Sequence, residues 1–135
     1  MRFFYNYDGK EITGAIFMEN EFATPHDSFF SQTPTRYSLQ AIEDTIMFEL
    51  SFKKYNELRQ KYPSLTELTI KVLEKALSVT LTNKSRLLIL THKKRYAKIA
   101  EDKPEWILRI PDYMLASYLG ITSTSVSRIK KSLHS

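Results

Sequence analysis

The sequence contains no cysteine. That single absence excludes disulfides, thiolate-held metals and cysteine-ligated iron-sulfur clusters. Glycine occurs only 3 times, too sparsely for a glycine-rich loop that wraps a phosphate. The 3 histidines are scattered. His92 and His134 have neither a carboxylate nor another histidine at metal-ligand spacing, and His26-Asp27-Ser28 are merely consecutive, which is not the spatial arrangement that nucleophilic catalysis needs. No enzymatic activity, metal or cofactor is therefore expected. No apolar run approaches membrane-spanning length, and the first four residues lead into an alternating strand rather than a signal-peptide core. A cytoplasmic protein with no membrane partner is expected.

What is present is a chain of 135 residues with 42% hydrophobic side chains, enough for one small core or two very small ones. Its net charge of +5 is unevenly distributed. Residues 1–83 hold 9 Lys/Arg against 11 Asp/Glu, whereas residues 84–135 hold 11 against 4. The basic half, and with it the expected contact with a polyanion, is the C-terminal one.

In chain order, residues 2–7 and 10–17 are aromatic or β-branched runs separated by Asp8-Gly9, the strongest short signal for a hairpin. Residues 20–33 read as a loop with a short turn at 26–30. Residues 36–42 and 45–51 read as a second antiparallel pair across Glu43-Asp44, and residues 52–61 as a short helix stopped by Tyr62-Pro63. From Pro63 the pattern is helical. Leu58, Leu65, Val72 and Val79 recur at seven, and Ile70, Leu73, Leu77 and Leu81 form a second stripe, so this helix needs two partners: the strands and a second subunit. Asn83-Lys84-Ser85 is expected to break it, with a separate helix over 86–100 and an extended link over 105–110.

Residues 109–133 organise the rest. Pro111 suits a helix start. Gly120 stands where a left-handed residue ends that helix, and the Thr122 hydroxyl can cap the next. Ala116, four residues before the glycine, lets the two helices approach, and Val126, six residues after it, closes their angle. Val126, Ile129 and Leu133 share one face of the second helix. Ser123, Thr124, Ser127, Arg128 and Lys131 share the other, which carries no negative charge and suits phosphates and base edges.

The run RIPDYMLASYLGITSTSVSRIKK resembles the DNA-binding helix-turn-helix of the CRP/FNR family of transcription regulators, and KKRYAKIAEDKPEW before it is similar to the connecting helix of Bacteroidetes-type members. The resemblance implies an α+β fold in three parts: a partial antiparallel β-roll like a cyclic-nucleotide-binding domain over 1–62, a dimerisation helix over 63–82, and a helix-turn-helix domain over 83–135. It implies base reading by Ser123, Thr124, Ser127 and Arg128, with Ser127-Arg128 matching the family's Ser-Arg pattern. Ser123 and Thr124 replace its usual first positions, which commonly include a glutamate, so a different operator is expected. Thr122 is expected at phosphate or nearby bases, and Lys130 and Lys131 at phosphates. The family holds a cyclic nucleotide with a Gly-Glu pair followed by an Arg-Ser pair. Here these positions are Pro25-His26 and Arg36-Tyr37. Arg36, with Tyr37 beside it, is left to attract an effector, and cyclic AMP is not expected to bind. The family's earlier strands and its C-terminal wing have no counterpart, so the chain is expected to be N-terminally short, to have an open sheet edge, and to lack wing contacts.

Two functional classes follow from this reading. The first is a homodimeric regulator that binds a palindromic operator in double-stranded DNA, with RNA polymerase and an unknown small-molecule effector as further partners. The second is a ligand-sensing or protein-interaction module on the same fold that does not bind DNA.

Overall fold

The computed structural model describes residues 1–134 as an α+β protein in which a three-stranded antiparallel sheet is joined by seven helices, the first of them lying between the second and third strands. The end of the expected 83–135 segment, Ser135, lies outside the described residues. Strands β1 (Arg2–Tyr7) and β2 (Lys10–Ile16) form the expected hairpin. Asp8 and Gly9 between them have φ of 50° and 71°, the paired positive φ values of a turn whose twist matches that of the strands it joins. Helix α1 (His26–Ser31) follows where a short turn was expected. Strand β3 (Ser38–Gln40) then pairs with β1, giving the order β2-β1-β3.

Arg2 ties the three strands together from the central one. Its guanidinium donates to Gln40 Oε1 on β3 (2.7 Å) and Thr13 Oγ1 on β2 (3.0 Å), and pairs with the Glu11 carboxylate. These bonds are why a charged side chain can be 1% exposed: a buried cation is tolerated only when its donors are matched.

The second hairpin does not form. Residues 45–51 are not a strand, and Ile46 and Phe48 are 95% and 102% exposed. The corner that would have folded them back is held elsewhere, because both Glu43 carboxylate oxygens accept from Arg109 (3.0 and 2.6 Å), 66 residues away.

Helix α2 (Phe52–Lys61) has the predicted bounds, with the Ser51 hydroxyl accepting from the Lys54 amide (3.2 Å). Helix α3 (Pro63–Ile89) runs 27 residues and passes straight through Asn83-Lys84-Ser85, where a break was expected. None of those three residues is glycine or proline, and each costs only tenths of a kcal/mol in a helix. The chain turns instead at Leu90-Thr91, where Thr91 is extended and its hydroxyl caps α4 (His92–Asp102) at the Lys94 amide. The expected extended link is a helix, α5 (Pro104–Arg109), started by a proline in its first turn and rotating Trp106 into the interior. Helices α6 (Asp112–Leu119) and α7 (Ser123–His134) complete the chain.

None of α3's residues is buried, and its main packing partner is α2, not the strands as the stripe pattern predicted. The core lies at the other end. Ile16 from β2 packs with Trp106, Ile110, Met114 and Leu115, so sheet and C-terminal helices share one interior. Helix α6 also caps β2: the Thr13 amide donates to Ser117 Oγ (2.9 Å), whose hydroxyl donates to the Glu11 carbonyl (3.0 Å). The strand edge expected to stand open is thus partly covered. No helix of the described residues is long and apolar enough to cross a membrane.

Candidate nucleic-acid interface

The α6–turn–α7 pair is built from a few local devices. Gly120 adopts φ 70°, ψ 35°, and its amide bonds to the Ser117 carbonyl (3.1 Å), while the Ile121 amide bonds to the Ala116 carbonyl (2.9 Å). This double closure satisfies carbonyls that a helix end otherwise leaves unpaired. Arg95 of α4 adds a bond from a terminal guanidinium nitrogen to the Leu119 carbonyl (2.7 Å). Two residues later Thr122 Oγ1 accepts from the Ser125 amide (3.2 Å), the N-cap expected of it.

The angle between the helices is fixed by packing. Val126 is wholly enclosed and Ala116 is 2% exposed, and both belong to one cluster with Tyr96 and Leu119. A methyl at position 116 leaves the room that Val126 fills. Lys130, expected at a phosphate, reaches back to the Asp112 carboxylate and so closes the pair at its far end.

With Val126 turned inward, Ser123, Thr124, Ser127, Arg128 and Lys131 are exposed. Ser127 returns a hydroxyl bond to the Ser123 carbonyl (3.2 Å), and Thr122 and Ser125 share one at 2.9 Å. Arg128 makes no hydrogen bond or ion pair among the described residues, so its planar fork is available to an outside acceptor. The surface this makes is a helix face of small hydroxyl groups around one guanidinium, able to enter a groove and donate to anionic or carbonyl oxygens.

The expected effector residues lie apart from this face and from the main concavity of the first half. A broad cleft of about 1130 Å³ opens between residues 17–50 and α3, and Pro25 and His26 line it whereas Arg36 and Tyr37 do not. Burial in its wall lowers the pKa of His26. Arg36 is exposed. The Tyr37 hydroxyl donates to Asp27 Oδ1 (2.5 Å), and its ring packs on Phe3 and Tyr5. That bond holds the Asp27 carboxyl below its usual range, while burial, followed by the same bond, pushes the Tyr37 phenol up.

Three residues that organise this region were not singled out in the sequence. Arg95 caps α6 across 24 residues and Asp112 holds Lys130 across 18. Arg109 binds both Glu19 oxygens (2.5 and 2.9 Å) across 90 residues, besides Glu43. Asp112 alone had a local signal, an acid in the first turn of a helix. Comparison with models of known protein families, with curated proteins and with solved structures finds no match.

Proposed function

We propose that this protein is a sequence-specific, DNA-binding transcription regulator of the CRP/FNR type, acting as a homodimer on a palindromic operator, with α7 as the helix that enters the major groove. The observation that carries the reading is the division of α7 into an enclosed Val126 and an exposed Ser123, Thr124, Ser127 and Arg128 face. Recognition helices need this division: one side holds the angle and the other reads. Arg128 is assigned to guanine O6 and N7, a bidentate contact worth about 1–3 kcal/mol of discrimination. Ser123, Thr124 and Ser127 read or position beside it, and Thr122 and Lys131 meet phosphates. Lys130, paired with Asp112, supports the helix and lends its charge to the same surface. RNA polymerase is a further partner under this reading, the protein is cytoplasmic, and no reaction is catalysed.

The exposed apolar faces of α3 favour a second reading, an interaction or ligand-sensing module without DNA binding. Salt separates the two. Phosphate neutralisation makes affinity fall steeply and log-linearly with salt, and an apolar interface does not behave so. The decisive experiment selects a site from random duplexes and measures it by fluorescence anisotropy. Arg128→Ala is expected to weaken the selected site by roughly ten- to a hundredfold and to flatten preference at one base pair per half-site. If affinity and preference both survive, α7 is not the reader.

A further inference from the structure

A smaller cleft, of about 270 Å³, lies where the C-terminal part of α3 meets α4, α6 and β2. Lys84, Arg86 and Arg95 line it with Tyr118, and Leu87 and Ile99 give it an apolar side. Three cations gathered in one concavity repel one another unless a negative charge joins them. Asp102 answers only Arg86, at 2.7 Å, and shares its charge with Lys98. Lys84 is exposed and has no ion pair among the described residues. Arg95 is fixed by one terminal nitrogen on the Leu119 carbonyl, while its Nε–H is closed off from solvent with no partner. The Tyr118 hydroxyl accepts from Asn83 Nδ2 (3.2 Å), which leaves its own proton to give, and Trp106 holds the ring edge-on at 5.4 Å.

We infer that this cleft binds a small organic anion, a carboxylate or phosphate monoester carried on a single-ring apolar body. The charge follows from the uncompensated cations, and arginine's fork suits a planar or tetrahedral oxyanion. The body follows from Leu87 and Ile99, which offer nothing to a bare inorganic ion. The size follows from the volume, just under the roughly 300–1,000 Å³ of ordinary ligand pockets, so one ring fills it. The inference is independent of the DNA-binding reading, because none of the residues lining the cleft lies on α7.

The full chain is titrated at fixed ionic strength with phenyl phosphate, benzoate and inorganic phosphate, by calorimetry and by the NMR shifts of Tyr118. Phenyl phosphate or benzoate is expected to saturate with a Kd on the order of 0.1–1 mM, and inorganic phosphate to bind about tenfold more weakly or worse. Lys84→Glu and Leu87→Glu each place a carboxylate in the cleft from an exposed position of α3. Each is expected to weaken the tighter organic anion by about tenfold or more with thermal unfolding unchanged. The inference is overturned if neither organic anion saturates by about 10 mM, if inorganic phosphate binds as tightly, or if both variants bind like the parent.

Discussion

At positions 116, 120 and 126 the size or shape of one residue decides the geometry of the α6–turn–α7 pair. Val126 has no exposed surface, so Val126→Ala loses its transfer energy and leaves a cavity, together about 2 kcal/mol. Ala116→Leu adds volume at a place 2% exposed and is expected to cost about 1–3 kcal/mol by overpacking. Gly120 is different in kind. A Cβ there meets nothing within 4 Å, so the penalty of Gly120→Ala is conformational, about 1–2 kcal/mol for a left-handed residue. Urea unfolding measures all three, and a neutral Gly120→Ala means the turn is not left-handed in solution. Glu19 carries a pH prediction. The Arg109 guanidinium lowers its carboxyl from 4.5 to about 2 and lowers that of Glu43 as well. A folded pKa below the unfolded one means stabilisation present above about pH 4.5 and lost as pH falls toward 2. Carboxyl-carbon NMR should place the Glu19 midpoint near 2, rising toward the ordinary 4.5 in Arg109→Gln. A parent midpoint at the ordinary value would mean the ion pair does not persist in water.

At the scale of elements, α3 and its ending make a sharp test. If the helix runs unbroken to Ile89, Ser85→Pro removes an interior hydrogen bond and clashes with the preceding turn, costing about 3 kcal/mol or more. If the helix ended near residue 82, the same change would be almost silent. Thr91→Ala should cost about 1 kcal/mol through the lost cap, as read by urea unfolding and far-ultraviolet dichroism. Elements marked by local chemistry were legible in the sequence: the Asp8-Gly9 turn, the stop at Tyr62-Pro63, the Gly120 helix end and the Thr122 cap. The candidate face was legible for the same reason, since period and capping place Ser123, Thr124, Ser127 and Arg128 outward without tertiary information. What sequence reading missed depended on partners far along the chain. Residues 45–51 alternate like a strand, but Arg109 holds the corner before them from 66 residues away. Asn83-Lys84-Ser85 reads as a loop by composition, yet nothing in it forbids helix. The seal of α6 over β2 joins Thr13 to Ser117 across 104 residues, a separation at which no local pattern carries a signal.

At the scale of the whole molecule the unresolved tension is between one shared core and one uncovered helix. The C-terminal helices and the sheet bury Ile16, Trp106, Leu115 and Val126, while α3, roughly 40 Å long at 1.5 Å per residue, buries none of its residues. Ile70, Leu73, Leu77 and Leu81, which share one face of the helix, are 37–61% exposed, and covering one such half-exposed side chain is worth roughly 1 kcal/mol. Contiguous apolar surface of this kind marks an association site. A second copy of the same helix offers the matching surface, and the DNA-binding reading requires the two copies of α7 in such a dimer to lie about one DNA turn, ~34 Å, apart. We therefore predict a homodimer by sedimentation at micromolar concentration. Leu77→Glu with Leu81→Glu is expected to yield a monomer with the 104–133 region still folded, because both positions are solvent-facing. That monomer should keep salt-dependent binding to a half-site while losing at least about a hundredfold on the full palindrome, since the second half-site no longer adds its contacts to the same complex. A parent that sediments as a monomer refutes the α3 interface directly. A dimer undisturbed by the double change moves the interface elsewhere. A monomeric variant that binds the palindrome as tightly as the parent removes the dimer from the recognition mechanism, whatever its role in stability.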